Sequence, residues 1–295
     1  MKAIMYHYIR NKNKLFPYSN ILEKKSFLNQ VKKFSKFGLV NSYEELFSNN
    51  DKYILTFDDG FKDHIYAAEK IKKKGGVGLF FLPTLPLVNK QILDVHKTHL
   101  LTSKVKASKI FETLNNYLRI NRIKDFYNVY EKEKYKNAYI NQNDEIEKKK
   151  FKRLMNYYGN LKIRSKILDF LLNEFELYVK AKDFYLNKKE IKYISSLGMI
   201  VGSHSHSHTL LSRLSYKKQL NEIKSSKKLL QNILKKEVNL FCYPYGGKRS
   251  YNLNTLNILK KLNFKLAYSV EHKDINISNI RKNPFELSRY DCNIF

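Results

Sequence analysis

The sequence predicts an α/β fold on a parallel sheet, interrupted by a long helical insertion. Three observations carry this. Short apolar runs of strand length alternate with stretches of helical periodicity at both ends of the chain, the pattern of βαβ units. Polar clusters follow directly on several of those strands, where barrels and open α/β sheets place their sites. Between the two ends the texture changes, with no proline between Pro86 and Pro244 and no glycine between Gly78 and Gly159.

Each element has its own signal. Residues 3–8 are short and apolar and stop at Arg10-Asn11-Lys12, as a buried strand does. Residues 24–37 carry Phe27, Val31, Phe34 and Phe37 at helical spacing, and Gly38 stands where a helix stop is expected. A strand over 53–57 runs into Asp58-Asp59-Gly60, a helix follows over 63–74, and a third strand over 77–82 ends at Pro83 and Pro86. Residues 91–182 are dominated by Lys, Asn, Tyr, Glu and Leu and read as several amphipathic helices, being too long for a plain loop. This divides the chain into 1–90 and 183–295, two parts of one α/β unit, with 91–182 inserted between them. The second part reads as a helix over 188–197, a strand over 199–202, a polar stretch to His208 and a basic helix over 216–235. A strand over 240–243, a helix over 251–262 and strands over 265–270 and 286–290 complete it.

Composition narrows the class. The chain has 295 residues, 43% hydrophobic and 14% aromatic, enough for a real core and against disorder. Two cysteines, Cys242 and Cys292, make no disulfide framework and have no metal-type spacing. The N-terminus lacks the pattern of a signal peptide, and no apolar run has the length of a membrane helix, so a cytoplasmic protein, at most resting on the inner face of the membrane, is expected. Lys and Arg number 56 against 27 Asp and Glu, a formal net charge of +29. Such a surface favours polyanions: nucleic acid, anionic lipid or phosphorylated sugars. Compositional drift of an AT-rich coding sequence gives the same richness in Lys, Asn, Ile and Tyr, and no named nucleic-acid motif is present.

Two clusters carry chemistry. Asp58 and Asp59 are adjacent at a strand end, before a glycine. Neighbouring carboxylates repel unless a cation or a proton stabilises one of them, so one can bind a metal while the other acts as a base. The same pair also suits a helix N-terminus. His204 and His208 are four apart, a spacing that puts both imidazoles on one face of a helix or tight turn, and with His206 they gather three of the eight histidines. Two imidazoles and one carboxylate form the three-ligand set of a catalytic zinc site, with one position left for water.

Thr56-Phe57-Asp58-Asp59-Gly60 resembles the first signature of the polysaccharide deacetylases, the NodB-homology or carbohydrate esterase 4 family. Gly202-Ser203-His204-Ser205-His206-Ser207-His208 resembles its second, and Phe241-Cys242-Tyr243-Pro244-Tyr245-Gly246 its third, in the form of the branch that acts on surface polysaccharides. Met5-Tyr6-His7-Tyr8 is similar to the first strand of that branch. The resemblance covers Met1 to about Pro86 and Asn187 to Phe295, without the helical insertion. It implies a distorted (β/α) barrel. It further implies Asp58 as the general base, and Asp59, His204 and His208 as ligands of a divalent metal, usually zinc, with cobalt or nickel also used. Pro244 and Tyr245 would line the substrate, the Tyr245 backbone N–H binding the oxyanion.

This chain departs from the family pattern in three places. Cys242 stands where an arginine often precedes Pro-Tyr-Gly, the family's Asp/Trp motif cannot occur in a chain without Trp, and the late Leu-x-His motif that often supplies the general acid is missing. His7 is one candidate for the acid; His96 and His99, just past the third strand, are others, with substrate contact as their further role. Arg289, at a strand end, is the candidate to replace the absent arginine by pairing with Asp58. The function expected is metal-dependent removal of an acyl group, N-acetyl foremost, from an amino sugar on a nucleotide- or lipid-linked precursor of a surface polysaccharide. Two other readings stand beside it: a sugar-binding protein on a decayed deacetylase scaffold, and a basic nucleic-acid binder.

Overall fold

The fold was analysed in a computed structural model, which describes residues 1–11, 21–48, 50–140 and 142–295; Lys12, at the end of the first polar stop, lies outside them. Seven strands form one sheet: β1 (Lys2–Tyr6), β2 (Tyr53–Asp58), β3 (Gly78–Leu82), β4 (Ile200–Ser203), β5 (Leu240–Cys242), β6 (Leu266–Tyr268) and β7 (Tyr290–Asp291). Their order is β6-β5-β4-β3-β2-β1-β7, and every pairing is parallel. Both faces of such a sheet are covered, which is why the strands read as unbroken apolar runs.

The sheet curls into a distorted barrel. Leu287 N–H donates to the Ala267 carbonyl at 3.0 Å and the Leu287 carbonyl accepts from Ser269 N–H at 2.7 Å, which ties the last segment to β6. Three residues on, Tyr290 and Asp291 pair with Ile4 and Met5 of β1. One stretch of chain therefore touches both edges of the sheet. The sequence predicts the last strand over 286–290; the ladder itself is Tyr290–Asp291, because the residues before it are spent on crossing from β6 to β1.

Side chains alternate between the two faces. Toward the interior, Ile54, Leu79, Leu240, Leu266 and Leu287 form an apolar floor, within a cluster that includes Ala3, Phe81, Cys242 and Tyr268. Two residues further along three of these strands or segments, on the same face, come Thr56, Cys242 and Arg289, and one more step along β2 gives Asp58. Outward, Ile4, Tyr6, Leu55, Phe57, Phe80 and Val201 meet a layer of helices. These are Lys24–Phe37 (through Phe27, Val31 and Phe34), His64–Lys72, Lys188–Ser196 and Tyr216–Leu234. The helix Lys188–Ser196 starts on a full capping box, Asn187 with Glu190, which fixes where the chain re-enters the α/β part.

The described residues separate into two compact units, one of 1–11, 21–91 and 181–295, and one containing Ile92–Lys180. The second is helical, with Asp94–Lys104, Ala107–Ile120, Val129–Lys134, Ile146–Arg153 and Arg164–Glu174 among its helices. Its own core gathers Leu101, Ile110, Leu114, Phe151, Ile167 and Leu171. Among the described residues no helix is long and apolar enough to cross a membrane.

Gly202 shows how tightly the barrel interior is packed. A Cβ there would lie 2.5 Å from the Phe81 ring and 2.9 Å from the Leu240 carbonyl oxygen. Gly202→Ala is expected to cost about 1–3 kcal/mol of stability, because the backbone oxygen cannot move aside cheaply. Urea unfolding of the variant beside wild type measures this, and an unchanged midpoint would contradict the packing described.

Candidate active site

The site is assembled at the C-terminal ends of β1, β2, β4 and β5. Asp58 is the last residue of β2, and Asp59 follows with φ 76°, in the left-handed region. The next helix begins only at His64, so neither aspartate caps it. Ser205 (φ 62°), His208 (φ 57°) and Tyr245 (φ 66°) share this backbone conformation. Non-glycine residues held there are strained by about 1 kcal/mol or more each, and such residues concentrate at functional sites.

His204 and His208 lie on an irregular loop after β4, not on a helix, and the left-handed turns at Ser205 and His208 bring their rings within 4.8 Å of each other. Both face one carboxylate oxygen, Asp59 Oδ1, which is 3.7 Å from His204 Nε2 and 3.3 Å from His208 Nε2. Two ligands of a tetrahedral ion bound at about 2.1 Å sit about 3.4 Å apart, so this donor set fits a divalent metal of zinc's size. His204 is prepared for that role: its Nδ1–H donates to the Cys242 carbonyl at 2.8 Å, which leaves the Nε2 lone pair toward Asp59. Burial lowers the His204 pKa against the pull of Asp58 and Asp59, which favours the neutral imidazole that metals bind. Asp58, His204 and Cys242 also lie close together, but Asp58 is engaged elsewhere and burial pushes the Cys242 thiol well up, so that group lacks a thiolate.

Asp58 is held by Arg289. Nη1 donates to Oδ1 and Nη2 to Oδ2, each at 2.8 Å, with both side chains buried. The guanidinium also donates to Thr56 Oγ1 (3.1 Å), Cys242 Sγ (3.0 Å) and the Ser269 carbonyl (3.2 Å). Burial alone would raise the Asp58 pKa, but Arg289 and, less strongly, His204 override it and hold it at about 2. His7 follows β1, is 38% exposed, and places Nε2 3.9 Å from Asp58 Oδ2. Its carbonyl accepts from His64 Nε2 at 2.9 Å; burial drops the His64 pKa to about 4, so this inner histidine is neutral.

Pro244 is buried after β5, and the Tyr245 ring stands 5.0 Å from that of His208. The structure therefore brings together Asp58, Asp59, His204, His208, His7, Tyr245 and Arg289. His96 and His99 belong to the helical unit, on the helix Asp94–Lys104, with ring centroids 5.8 Å apart.

Other residues were not singled out by the sequence. Glu222 accepts from His206 N–H (3.0 Å), Ser207 N–H (2.7 Å) and Ser207 Oγ (2.8 Å), strapping the loop between the two histidines. Thr84 closes the other side, its Oγ1 2.8 Å from His206 Nδ1. Glu222 has a faint signal, as the lone acid in an otherwise basic helix.

The seven parallel strands curled into a half-closed barrel with helices outside are the fold of the NodB-type deacetylases. Structural likeness extends over nearly the whole chain. The Streptococcus pyogenes deacetylase PplD, solved in complex with acetate, is similar over 99% of this chain and 91% of its own, at 18% identity and a TM-score of 0.58. IcaB from Ammonifex degensii is similar over 98% and 89%, at 13% identity and 0.56, and a de-N-acetylase from Aggregatibacter actinomycetemcomitans over 98% and 93%, at 10% and 0.57. The family model for polysaccharide deacetylase matches residues 124–267. That stretch begins inside the helical insertion, which the motif resemblance leaves out. YxkH of Bacillus subtilis (strain 168), which its name places among the polysaccharide deacetylases, is 28% identical over 87 residues. That match spans 30% of this chain and 30% of the relative. The chain is thus similar to the polysaccharide deacetylases in fold over nearly its whole length and in sequence over residues 124–267.

Two outcomes follow from this geometry. Glu222→Ala frees the loop that aims His208, so zinc affinity measured by competition with a chromophoric chelator is expected to fall by about 10–100-fold; unchanged affinity would mean that the strap is incidental. The second concerns pH. The folded pKa of Asp58 is about 2 against an ordinary 3.8, so the stability this group contributes is complete above the ordinary value and is lost as pH falls through about 2. The contribution is on the order of 2 kcal/mol. In chelator-treated protein, the stability gap between wild type and Asp58→Asn should therefore narrow from pH 5 to pH 2 by about that amount. A constant gap would contradict it.

Proposed function

We propose that the protein is a metal-dependent hydrolase that removes an acyl group, foremost N-acetyl, from an amino sugar. The observation that carries this reading is the division of labour between adjacent carboxylates. Asp59 faces two imidazole nitrogens, while Asp58 is turned to a buried arginine and kept ionised. A divalent ion on Asp59, His204 and His208 would supply Lewis-acid polarisation of the acyl carbonyl and of the attacking water.

The chain's own residues supply the rest. Asp58 accepts the proton of the water, and Arg289 fixes both of its oxygens so that the base stays in one orientation. The Tyr245 backbone N–H donates to the oxyanion as the carbonyl carbon becomes tetrahedral. His7, partly exposed beside Asp58, donates the proton that lets the amine leave. Pro244 and Tyr245 line the approach of the sugar. The +29 charge supports a substrate carried on phosphate, such as a nucleotide- or lipid-linked precursor of a surface polysaccharide.

The test is acetate release from a panel of N-acetylated nucleotide sugars and lipid-linked sugars by zinc-loaded protein. Chelation should abolish turnover and zinc should restore it. Asp58→Asn should bind zinc as wild type does but lose turnover roughly a hundredfold or more. His7→Ala should lower kcat rather than zinc affinity. Acetate release that is equal in wild type and Asp58→Asn, or absent on every substrate, would overturn the reading.

A further inference from the structure

The helical unit holds a cavity of about 410 Å3, in the size range of small-molecule sites. None of its residues belongs to the site around Asp58. Phe111, Tyr127 and Tyr158 give it aromatic walls. Lys132, Lys136, Lys150 and Arg153, from or beside the helices Val129–Lys134 and Ile146–Arg153, bring four positive charges against two carboxylates, Glu133 and Glu147.

Those carboxylates do not silence the charge. Each pairs with a lysine three residues along its own segment, Glu133 with Lys136 and Glu147 with Lys150, and all four side chains are about half exposed or more. Such exposed pairs are weak and open readily to a stronger anion. Lys132 forms no ion pair among the described residues. The Arg153 guanidinium donates to the Lys136 carbonyl and so holds the two sides of the cavity together. Cations gathered at an aromatic-walled cavity of this size match a small ligand with one multiply charged end and one flat or apolar end.

We propose that this cavity binds an organic diphosphate: two adjacent phosphates on the Lys132, Lys136, Lys150 and Arg153 cluster, and the flat or apolar group against Tyr127, Phe111 and Tyr158. Nucleoside diphosphates and prenyl diphosphates share this chemistry. The site goes beyond the hydrolytic reading and stands or falls without it.

Calorimetric titration of the full chain, with chelator present to keep phosphates off the metal ligands, tests it with uridine diphosphate, geranyl diphosphate and inorganic pyrophosphate. Saturable binding of one organic diphosphate, about tenfold or more tighter than pyrophosphate, is expected, and the arm that binds names the source of the ligand. Lys132→Glu with Lys150→Glu should weaken it by about tenfold or more, while Lys162→Glu, exposed and outside the lining, should not. Unfolding midpoints check the fold, and Lys132→Gln alone carries the same direction if the double reversal unfolds. No saturable binding, pyrophosphate binding as tight as the organic ligands, or equal weakening by Lys162→Glu would overturn the proposal.

Discussion

The buried pair between Asp58 and Arg289 is the interaction on which the rest of the site depends. An unpaired carboxylate at that depth would take up a proton, and an unpaired guanidinium would be still more costly to bury. Together, in a two-pronged arrangement at 2.8 Å on each side, they are tolerated and the carboxylate stays ionised. The pair also spans the fold. Asp58 ends β2, while Arg289 comes from the segment that ties β6 to β1. Closing the barrel and ionising the proposed base are thus one structural event.

Around that pair the site is built in layers. The apolar floor of Ile54, Leu79, Leu240, Leu266 and Leu287 excludes water from below. Thr56 and Cys242 sit above it and absorb the remaining hydrogen bonds of the guanidinium. The Cys242 carbonyl then orients His204, whose outer nitrogen meets Asp59. Cys242 Sγ accepts from Arg289, an arginine delivered by another segment of the chain.

The loop carrying His204 and His208 shows why local spacing is an incomplete guide. A separation of four fits a helical face, yet the loop reaches the same convergence through left-handed turns at Ser205 and His208. Such turns are costly in isolation and persist here because Glu222 and Thr84 hold the loop from two sides. Those two residues come from the helix Tyr216–Leu234 and the segment after β3, remote in sequence from each other; beyond Glu222 being the lone acid of its helix, no local pattern marks them as parts of a site.

The sequence by itself determined the alternation of strands and helices, the helical character of the long glycine-free stretch, and the chemical types of the site. Buried parallel strands must be apolar, and three of eight histidines within five positions are too concentrated to be incidental. It placed Arg289 as a partner for Asp58 by its strand-end position alone. Tertiary structure decided what distance in sequence conceals: that Thr56, Cys242 and Ser269 complete the hydrogen bonds of Arg289, that the last strand is shortened because its preceding residues bridge two edges, and that Glu222 and Thr84 brace the histidine loop. The reason is physical. Periodicity records which face of an element is buried, whereas ionisation, ligand geometry and strained turns depend on groups that meet only when the sheet closes.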